Sequence, residues 1–296
     1  MTVIAVVLGL LLERALAHAL HLRESGWVGG YYRWLRSSVE GSSATAQTIG
    51  CIAGLLLLVL PVALAAISLD RWLPPLTWVV FAALALMFSL GPRDLDEELE
   101  DYIAAETAGD TERAKAAAAV IIEHDAAQRH EARAESVEEA AFVQANNRVF
   151  GVLFWFVVLG PTALGPVAAW LFRASDLLRR ASIADPAALP AVAGCFERIH
   201  FGLAWLPARL VALSYALAGS FEEARREMGR GVEAVGRMME RNDLLLVLAG
   251  RGALARIDTT GAAAAAPAQA ALRLIRRSLL IWLTVIALLS LGAWVA

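Results

Sequence analysis

Residues 49–69 read IGCIAGLLLLVLPVALAAISL and contain no charged side chain. A membrane-spanning α-helix needs about 20 predominantly apolar residues to cross ~30 Å of hydrocarbon, and this stretch of 21 residues is long enough. It predicts an all-α protein that crosses a lipid bilayer. The other predicted spans are Thr2–Leu22, Val149–Leu171 and Arg277–Ala296, a shorter one at Leu76–Leu90, and one that contains Pro207 and Arg209 at Phe201–Gly219.

The distribution of Lys and Arg predicts the orientation. If Phe201–Gly219 crosses and the N-terminus is outside, the inner loops 23–48, 92–147 and 220–277 hold 18 of the 26 Lys and Arg, and the outer loops hold 5. If it does not cross, the better orientation gives 16 inside and 8 outside. Cytoplasmic loops are enriched in Lys and Arg. The sequence therefore predicts a polytopic membrane protein of about six spans, or five if Phe201–Gly219 does not cross.

The composition excludes several classes of protein. Hydrophobic residues make up 58% and charged residues 19% of the 296 residues, the mean hydropathy is +0.58, and there are only two cysteines. Disordered chains are poorer in apolar residues, and disulfide scaffolds are far richer in Cys. The net charge of −3 leaves no basic excess for nucleic acid. The predicted partner is the lipid bilayer, and no nucleic acid is expected.

The chain divides by hydropathy and charge. The acidic stretch starts after Pro92 with DLDEELEDYIAAETAG and breaks at Gly109-Asp110, which predicts a cytoplasmic helical hairpin. Because the other large loop is basic, we expect the two to pack together or to share a ligand. The predicted regions are three membrane helices in 1–91, the acidic hairpin in 92–147, two membrane helices in 148–219, basic cytoplasmic helices with an Ala-rich linker in 220–276, and a last membrane helix in 277–296.

Several polar residues lie inside or beside apolar stretches. Glu13 and His18 share the first predicted span, where an ionisable residue indicates function unless it reaches the interface by snorkelling. The run Asn146-Asn147-Arg148 enters an apolar stretch and can bind an anionic or amide-bearing group, or merely solvate the start of a helix. Arg209 follows Pro207, which frees a backbone carbonyl, and either binds an anion or pairs with a carboxylate such as Glu13.

No common cofactor motif is present in the sequence. There is no G-x-x-x-x-G-K-[ST] loop and no dinucleotide-binding fingerprint. His124 and His130 are six residues apart and so lie on different faces of a helix, and H-E-x-x-H is absent. We therefore expect no metal site, and the cofactor, if there is one, stays open.

Three runs resemble a known family. They are EEAAFVQANNRVFGVLFWFVVLGP at 138–161, LFRASDLLRR at 171–180 and WLPARLVALSYALAGSFEEA at 205–224. The chain is similar in these runs to the AmpE family of bacterial inner-membrane proteins linked to β-lactamase induction, which is related to the membrane cobinamide-phosphate synthases of cobalamin biosynthesis. The resemblance implies a multi-pass protein of the bacterial inner (cytoplasmic) membrane.

The synthase motif is matched only in part. In those enzymes an Ala-Glu-Asn run precedes an Asp-Gly-Val that enters the membrane. Here Asn146 stands for the Glu and Phe150 for the Asp. The matching positions are Ala145, Asn147, Gly151 and Val152 in this motif, Gly109, Asp110 and Arg113 in a Gly-Asp turn, and Pro207, Ala208, Arg209 and Leu210 in a Pro-Ala-Arg-Leu element, with Arg173 and Asp176 as a weaker echo of a fourth motif.

The loss of two acids favours an altered chemistry. The expected function is that of a signalling or modulator protein of cell-wall recycling and β-lactamase induction, which binds a polar or anionic envelope metabolite or lipid head group in a cytoplasm-facing pocket and works with a protein partner of cell-wall recycling. The predicted ligand-binding residues are Asn146, Asn147, Arg148, Arg173, Asp176, Arg209, Glu13 and His18.

An enzyme of the cobinamide-phosphate synthase type is the alternative. It would form an amide bond or handle a phosphate on an amphiphilic substrate, with Asp94, Glu98 and Glu139 as candidate catalytic residues. A transporter is the least favoured function, because the spans show no internal repeat.

Overall fold

The computed structural model describes residues 5–6, 8–9, 26–72, 75–90, 95–122, 134–160, 164–231, 240–256 and 264–295. These residues are almost entirely helical, and no strand occurs among them. The helices are α1 Gly26–Val39, α2 Ala44–Trp72, α3 Pro75–Ser89, α4 Leu95–Ala108, α5 Thr111–Ile122, α6 Ala134–Ala145, a π-helical turn Asn146–Phe150, α7 Gly151–Leu159, α8 Leu164–Ala184, α9 Pro190–Ala218, α10 Phe221–Gly231, α11 Glu240–Leu254 and α12 Ala266–Val295.

Three helical stretches in these ranges are long and apolar enough to cross a membrane: Ala44–Leu69, Val137–Leu159 and Pro190–Ala218. The first has large apolar side chains exposed along one face, at Ile49, Ile52, Leu56, Leu60, Leu64 and Ile67. A contiguous exposed apolar surface of this kind is typical of a helix that faces lipid. The all-α fold and the bilayer environment agree with the sequence. The predicted span Thr2–Leu22 falls mostly outside the described residues.

The predicted span Val149–Leu171 is wrong. Helix α7 ends at Leu159, and α8 starts at Leu164 and packs back on α7. A Cβ added to Gly165 would lie 2.7 Å from Gly160 Cα and 2.8 Å from the Phe156 carbonyl oxygen, so the two backbones almost touch. Gly160 precedes Pro161, which cannot donate a helical hydrogen bond and disfavours a helical residue before it. These two residues end the helix in the middle of the apolar run.

The predicted threading is also wrong at this point. Loops 23–48 and 172–200 were expected on opposite sides of the membrane. The Arg36 guanidinium lies 3.1 Å from the Asp185 carboxylate and donates to the Ala187 carbonyl, and Cys195 Sγ lies 3.9 Å from the Thr48 carbonyl oxygen. Because α7 and α8 form a hairpin rather than one span, we expect the chain to return to the side on which it entered.

Two compact units share the helices. The first comprises Met1–Pro92 and Gly151–Leu203, and the second comprises Arg93–Phe150 and Ala204–Ala296. In the first unit, α1, α2, α8 and the start of α9 enclose an apolar core. Gly50 and Gly54 admit the Val39 and Leu35 side chains of α1, at 2.4 and 2.7 Å from an added Cβ. Small residues four apart allow close packing of membrane helices.

Aromatic and small residues form the core of the second unit. Tyr215 is fully buried, donates to the Phe142 carbonyl (3.1 Å), and has its ring near that of Phe150. Helices α4 and α5 meet as a hairpin at Gly109, whose φ is +72°, and Asp110 Oδ1 accepts from the Arg113 amide to cap α5. The hairpin is present; its cytoplasmic placement stays a prediction.

Candidate functional site

Part of the run that carries the partly matched synthase motif folds as a π-helical turn. Residues Asn146–Phe150 widen one turn between α6 and α7, and Asn146, Asn147 and Arg148 are each at most 3% exposed. A π-turn inside an α-helix is often found at a functional site, because the extra residue redirects side chains. The interpretation of this run as mere solvation of a helix start does not hold, since its polar side chains are buried.

The two amides of this turn interact with each other. Asn146 Nδ2 donates to Asn147 Oδ1 over 3.0 Å, and Asn146 Oδ1 is buried without a hydrogen-bond partner. If both amides are flipped, the Asn146 nitrogen is the unpartnered atom instead. A buried polar atom without a hydrogen-bond partner lowers the stability of the folded protein by about 1–3 kcal/mol. One edge of the Asn146 amide is therefore available to a hydrogen-bonding ligand.

Arg148 and Glu98 form a buried ion pair in the same unit. Arg148 Nη1 lies 2.8 Å from Glu98 Oε2, Arg148 Nε donates to Gln144 Oε1 over 3.0 Å, and the Arg148 and Glu98 side chains are 3% and 6% exposed. Helix α4 thus brings a carboxylate to the π-turn from 50 residues away along the chain. The sequence did not predict this ion pair. Position 146 is Asn where the family motif has an acid, and Glu98 lies in another helix.

A second polar cluster lies in the first unit, around Asp176. The carboxylate is fully buried and receives three guanidinium groups of its own helix, from Arg173 at 3.2 Å, Arg179 at 2.9 Å and Arg180 at 2.8 Å. Burial by itself raises the pKa of Asp176, but the adjacent positive charges, foremost that of Arg179, hold it below its usual value. The carboxylate is therefore ionised at neutral pH.

The neighbouring Ser175 and His200 complete this cluster. Ser175 Oγ donates its hydrogen to the Phe172 carbonyl (2.7 Å), so it can only accept from His200 Nδ1 at 3.1 Å. His200 Nε2 then faces Asp176 Oδ1 at 3.8 Å and is buried without a hydrogen-bond partner. These three side chains are not a hydrolytic triad, because the serine proton is committed to a backbone carbonyl and the aspartate to guanidinium groups.

Arg209 belongs to a third network, in the second unit. Its Nη1 donates to the Trp205 carbonyl at 2.7 Å and to Asn242 Oδ1 at 3.2 Å, and its guanidinium lies 4.0 Å from the centre of the Trp205 ring. Among the residues that the structure describes, it makes no hydrogen bond or ion pair with Asn146, Asn147 or Arg148. The expected convergence of these groups on one pocket is therefore not seen as direct hydrogen bonding, and their ligand-binding roles stay predictions.

Of the remaining candidate residues, the structure describes Glu139 but not Glu13, His18 or Asp94. Glu139 lies on α6, 3.0 Å from Arg251 of α11, so an acidic and a basic stretch do contact each other. Glu13, His18 and Asp94 lie outside the described residues. Within the described ranges, no group of three or more His, Cys, Asp or Glu side chains could hold a metal ion.

Sequence reasoning missed several partners of the predicted residues. Sequence spacing could have predicted Arg179 and Arg180 as partners of Asp176, since they follow it by three and four residues and so lie on its helix face. It could also have predicted Gln144, which precedes Arg148 by four residues. No sequence pattern predicts His200 and Asn242 as partners, because helix packing alone brings them to Asp176 and Arg209.

Comparisons with known proteins identify relatives in cobalamin biosynthesis. A family model described as CobD/Cbib protein matches residues 6–243. The chain is 33% identical over 180 residues to the cobalamin biosynthesis protein CobD of Stutzerimonas stutzeri, covering 60% of this chain and 55% of the relative. It is 34% identical over 179 residues to the protein of the same name from Chromobacterium violaceum, covering 56% and 52%. No solved structure matches.

These findings overturn the first functional expectation. The chain spans about half the length of the curated relatives it matches, and both are named for cobalamin biosynthesis. A signalling role in cell-wall recycling and β-lactamase induction is therefore wrong. The two departures from the motif do not exclude the chain from the family, whose model matches residues 6–243. The structure places the Glu98 carboxylate against Arg148 of the same turn.

Proposed function

We infer the function from one premise: this chain belongs to the CobD/Cbib protein family. We propose that it is a multi-pass enzyme of the bacterial inner membrane, of the cobinamide-phosphate synthase type, which joins an amine to the activated carboxylate of an amphiphilic substrate. The proposal is supported above all by the π-turn Asn146–Phe150, which lies in the run that resembles the synthases and has an unpartnered buried amide atom.

The chemistry requires acceptors for a protonated amine. An amine is cationic at neutral pH and must lose a proton before its nitrogen attacks a carbonyl carbon. Asn146 Oδ1 can accept one of its hydrogens, and the Glu98 carboxylate, fixed by Arg148, offers a negative charge in the same unit. The nitrogen loses one proton before the attack and a second as the new C–N bond forms and the bond to the leaving group breaks. Each proton passes to a base or departs with the leaving group.

The test is complementation of a strain that lacks its own synthase of this type. The chain should restore cobalamin-dependent growth, and extracts should contain the amide product by mass spectrometry. Glu98→Gln and Asn146→Leu should reduce product at least tenfold. Asn146→Leu should leave stability within about 1 kcal/mol of wild type, because it removes an unpartnered polar atom together with one hydrogen bond.

Glu223→Gln is the matched control for Glu98→Gln. It changes an acid of the same unit that lies in a partly exposed pair with Arg226, and it should leave the product level unchanged. If wild-type protein is inserted in the membrane and yields no amide product, the proposed activity is wrong. If Glu98→Gln and Glu223→Gln behave alike, the assignment to the π-turn is wrong even where the activity is present.

A further inference from the structure

A buried serine of α12 has a hydroxyl without a hydrogen-bond partner. Ser278 is fully buried, and its Oγ makes no hydrogen bond to any residue that the structure describes. A serine inside a helix often donates to a carbonyl of the preceding turn, as Ser214 Oγ does to the Val211 carbonyl over 2.7 Å. A buried hydroxyl that does not do so lowers the stability of the fold unless it binds a ligand or a water molecule.

The face of α12 that carries Ser278 is turned towards the π-turn. Trp282 follows Ser278 by four residues and so lies on the same face, about 6 Å along the helix. Its ring centre lies 5.3 Å from that of Phe150, the last residue of the π-turn. Ile275, which precedes Ser278 by three residues, is buried in the same apolar core as Phe150. The Ser278 hydroxyl is thus part of the core that surrounds the π-turn.

Ion pairs join the same part of α12 to the helix that carries Glu98. Arg276, two residues before Ser278, lies 2.7 Å from the Asp96 carboxylate and also pairs with Glu100. Glu98 lies between these two acids in the sequence and is buried. These ion pairs hold α12 against α4 within two residues of both Glu98 and Ser278.

Amide formation needs a hydrogen-bond donor as well as acceptors. When the amine nitrogen attacks, the carbonyl oxygen of the activated carboxylate gains negative charge, and a donor held at that oxygen stabilises it. Asn146 Oδ1 and the Glu98 carboxylate can only accept hydrogens, and they are assigned to the amine. The Ser278 hydroxyl is a donor in the same unit that no backbone carbonyl of the described residues engages.

From these observations we propose that Ser278 is a substrate-binding residue of the amide-forming site and that its hydroxyl donates a hydrogen bond to the carbonyl oxygen of the acyl substrate. The inference rests on the proposed function, since it needs the reaction to take place at the π-turn. Ser278 keeps its proton and forms no covalent bond, so its contribution is to hold the carbonyl oxygen and to stabilise the charge that develops there.

The experiment measures the amide product and the thermal midpoint of the same variants. In the complementation strain, Ser278→Ala should reduce the product at least tenfold. Its thermal midpoint in detergent should equal or exceed that of wild type, because alanine removes a buried hydroxyl that has no partner. Ser278→Cys keeps a side chain of similar size with a much weaker donor, and it should also lose product. This second variant tests the role if Ser278→Ala does not fold.

Ser214→Ala is the matched control. Ser214 is a buried serine of the same unit whose hydroxyl already donates to a backbone carbonyl, so its loss should leave the product per folded protein unchanged. If Ser278→Ala and Ser214→Ala yield equal product, the inference is wrong while the proposed function stands. If wild type yields no product, the proposed function is wrong and this role of Ser278 is wrong with it. A lowered midpoint with product reduced only in proportion to folded protein would show a structural hydroxyl and would also overturn the inference.

Discussion

At the scale of residues, the polar groups of this protein are kept in small, mostly closed networks. Asp176 forms a buried cluster with three arginines, and Glu98 forms a buried ion pair with Arg148. In each, the guanidinium groups hold the carboxylate in one geometry. Removing one partner of a buried pair is far more costly than the pair is stabilising, because a charge is left without compensation. In the described residues, the buried atoms without a hydrogen-bond partner include Asn146 Oδ1 and His200 Nε2, along with others such as Tyr32 Oη and Ser278 Oγ. Atoms of this kind can bind a ligand or a water molecule.

Asp176→Asn should destabilise the protein by about 3–5 kcal/mol, since three guanidinium groups lose a buried counter-ion. The measurement is thermal unfolding in detergent by scanning fluorimetry. Glu112→Gln is the control: it removes an exposed acid that pairs with Lys115, and the midpoint should not move measurably. An Asp176→Asn midpoint equal to that of the control would show that the carboxylate is not needed by the cluster.

The contribution of Asp176 should also depend on pH. Its pKa in the folded protein is below the ordinary value, so the unfolded chain binds its proton first on acidification. The stabilisation is therefore complete above the unfolded pKa of about 3.9 and is lost as the pH falls through the lower folded value. The difference in midpoint between wild type and Asp176→Asn should be constant from neutral pH to about 5 and should narrow below about 4. A difference that narrows near neutral pH would contradict this.

At the scale of elements, breaks in helices decide the architecture. The sequence correctly predicted apolar helices in α2, α3 and α9, because length and hydropathy are local properties. It failed at α7 and α8, where an unbroken apolar run contains Gly160-Pro161 and folds as a hairpin. In α9, by contrast, Pro207 lies inside a continuous helix; the carbonyl it leaves free is that of Leu203, which accepts from the Trp155 indole at 3.0 Å. Whether a proline ends a helix therefore depends on a partner elsewhere.

Gly165→Ala should destabilise the α7–α8 hairpin by about 1–3 kcal/mol, because its added methyl meets backbone atoms that cannot rotate away. Gly202→Ala is the matched control in α9, where nothing lies within 4 Å of the added carbon. That variant should be neutral or up to about 1 kcal/mol more stable, since alanine favours helix. Thermal midpoints of the two variants in detergent check the prediction, and the reverse order would contradict the close contact.

At the scale of the whole molecule, the α7–α8 hairpin changes the threading that we expect for the first unit in the bilayer. Loops 23–48 and 172–200 meet through Arg36 and Asp185. The charge count placed them on opposite sides because it treated 149–171 as a single crossing. One misassigned span reverses the side of every loop that follows, so local errors in hydropathy have long-range consequences for topology.

Cysteines introduced by Ser37→Cys and Ala187→Cys should be labelled by a membrane-impermeant maleimide from the same side. Both positions are exposed, whereas native Cys51 and Cys195 are buried and should react little. Right-side-out and inverted vesicles separate the two sides, and Cys51→Ser/Cys195→Ser supplies a background free of native thiols. Labelling of the two positions from opposite sides would contradict this expectation and support the threading predicted from the distribution of Lys and Arg.

The amino-acid sequence alone determined that this protein is helical and that it lies in lipid, because apolar length and composition are properties of each segment by itself. It also singled out Asn146, Asn147, Arg148, Glu98 and Asp176 as polar groups that need a reason to be where they are. Only the tertiary structure decided which of them meet. Glu98 reaches Arg148 across 50 residues and His200 reaches Asp176 from another helix, since pairing between distant segments depends on how helices pack and end, and no local pattern encodes that packing.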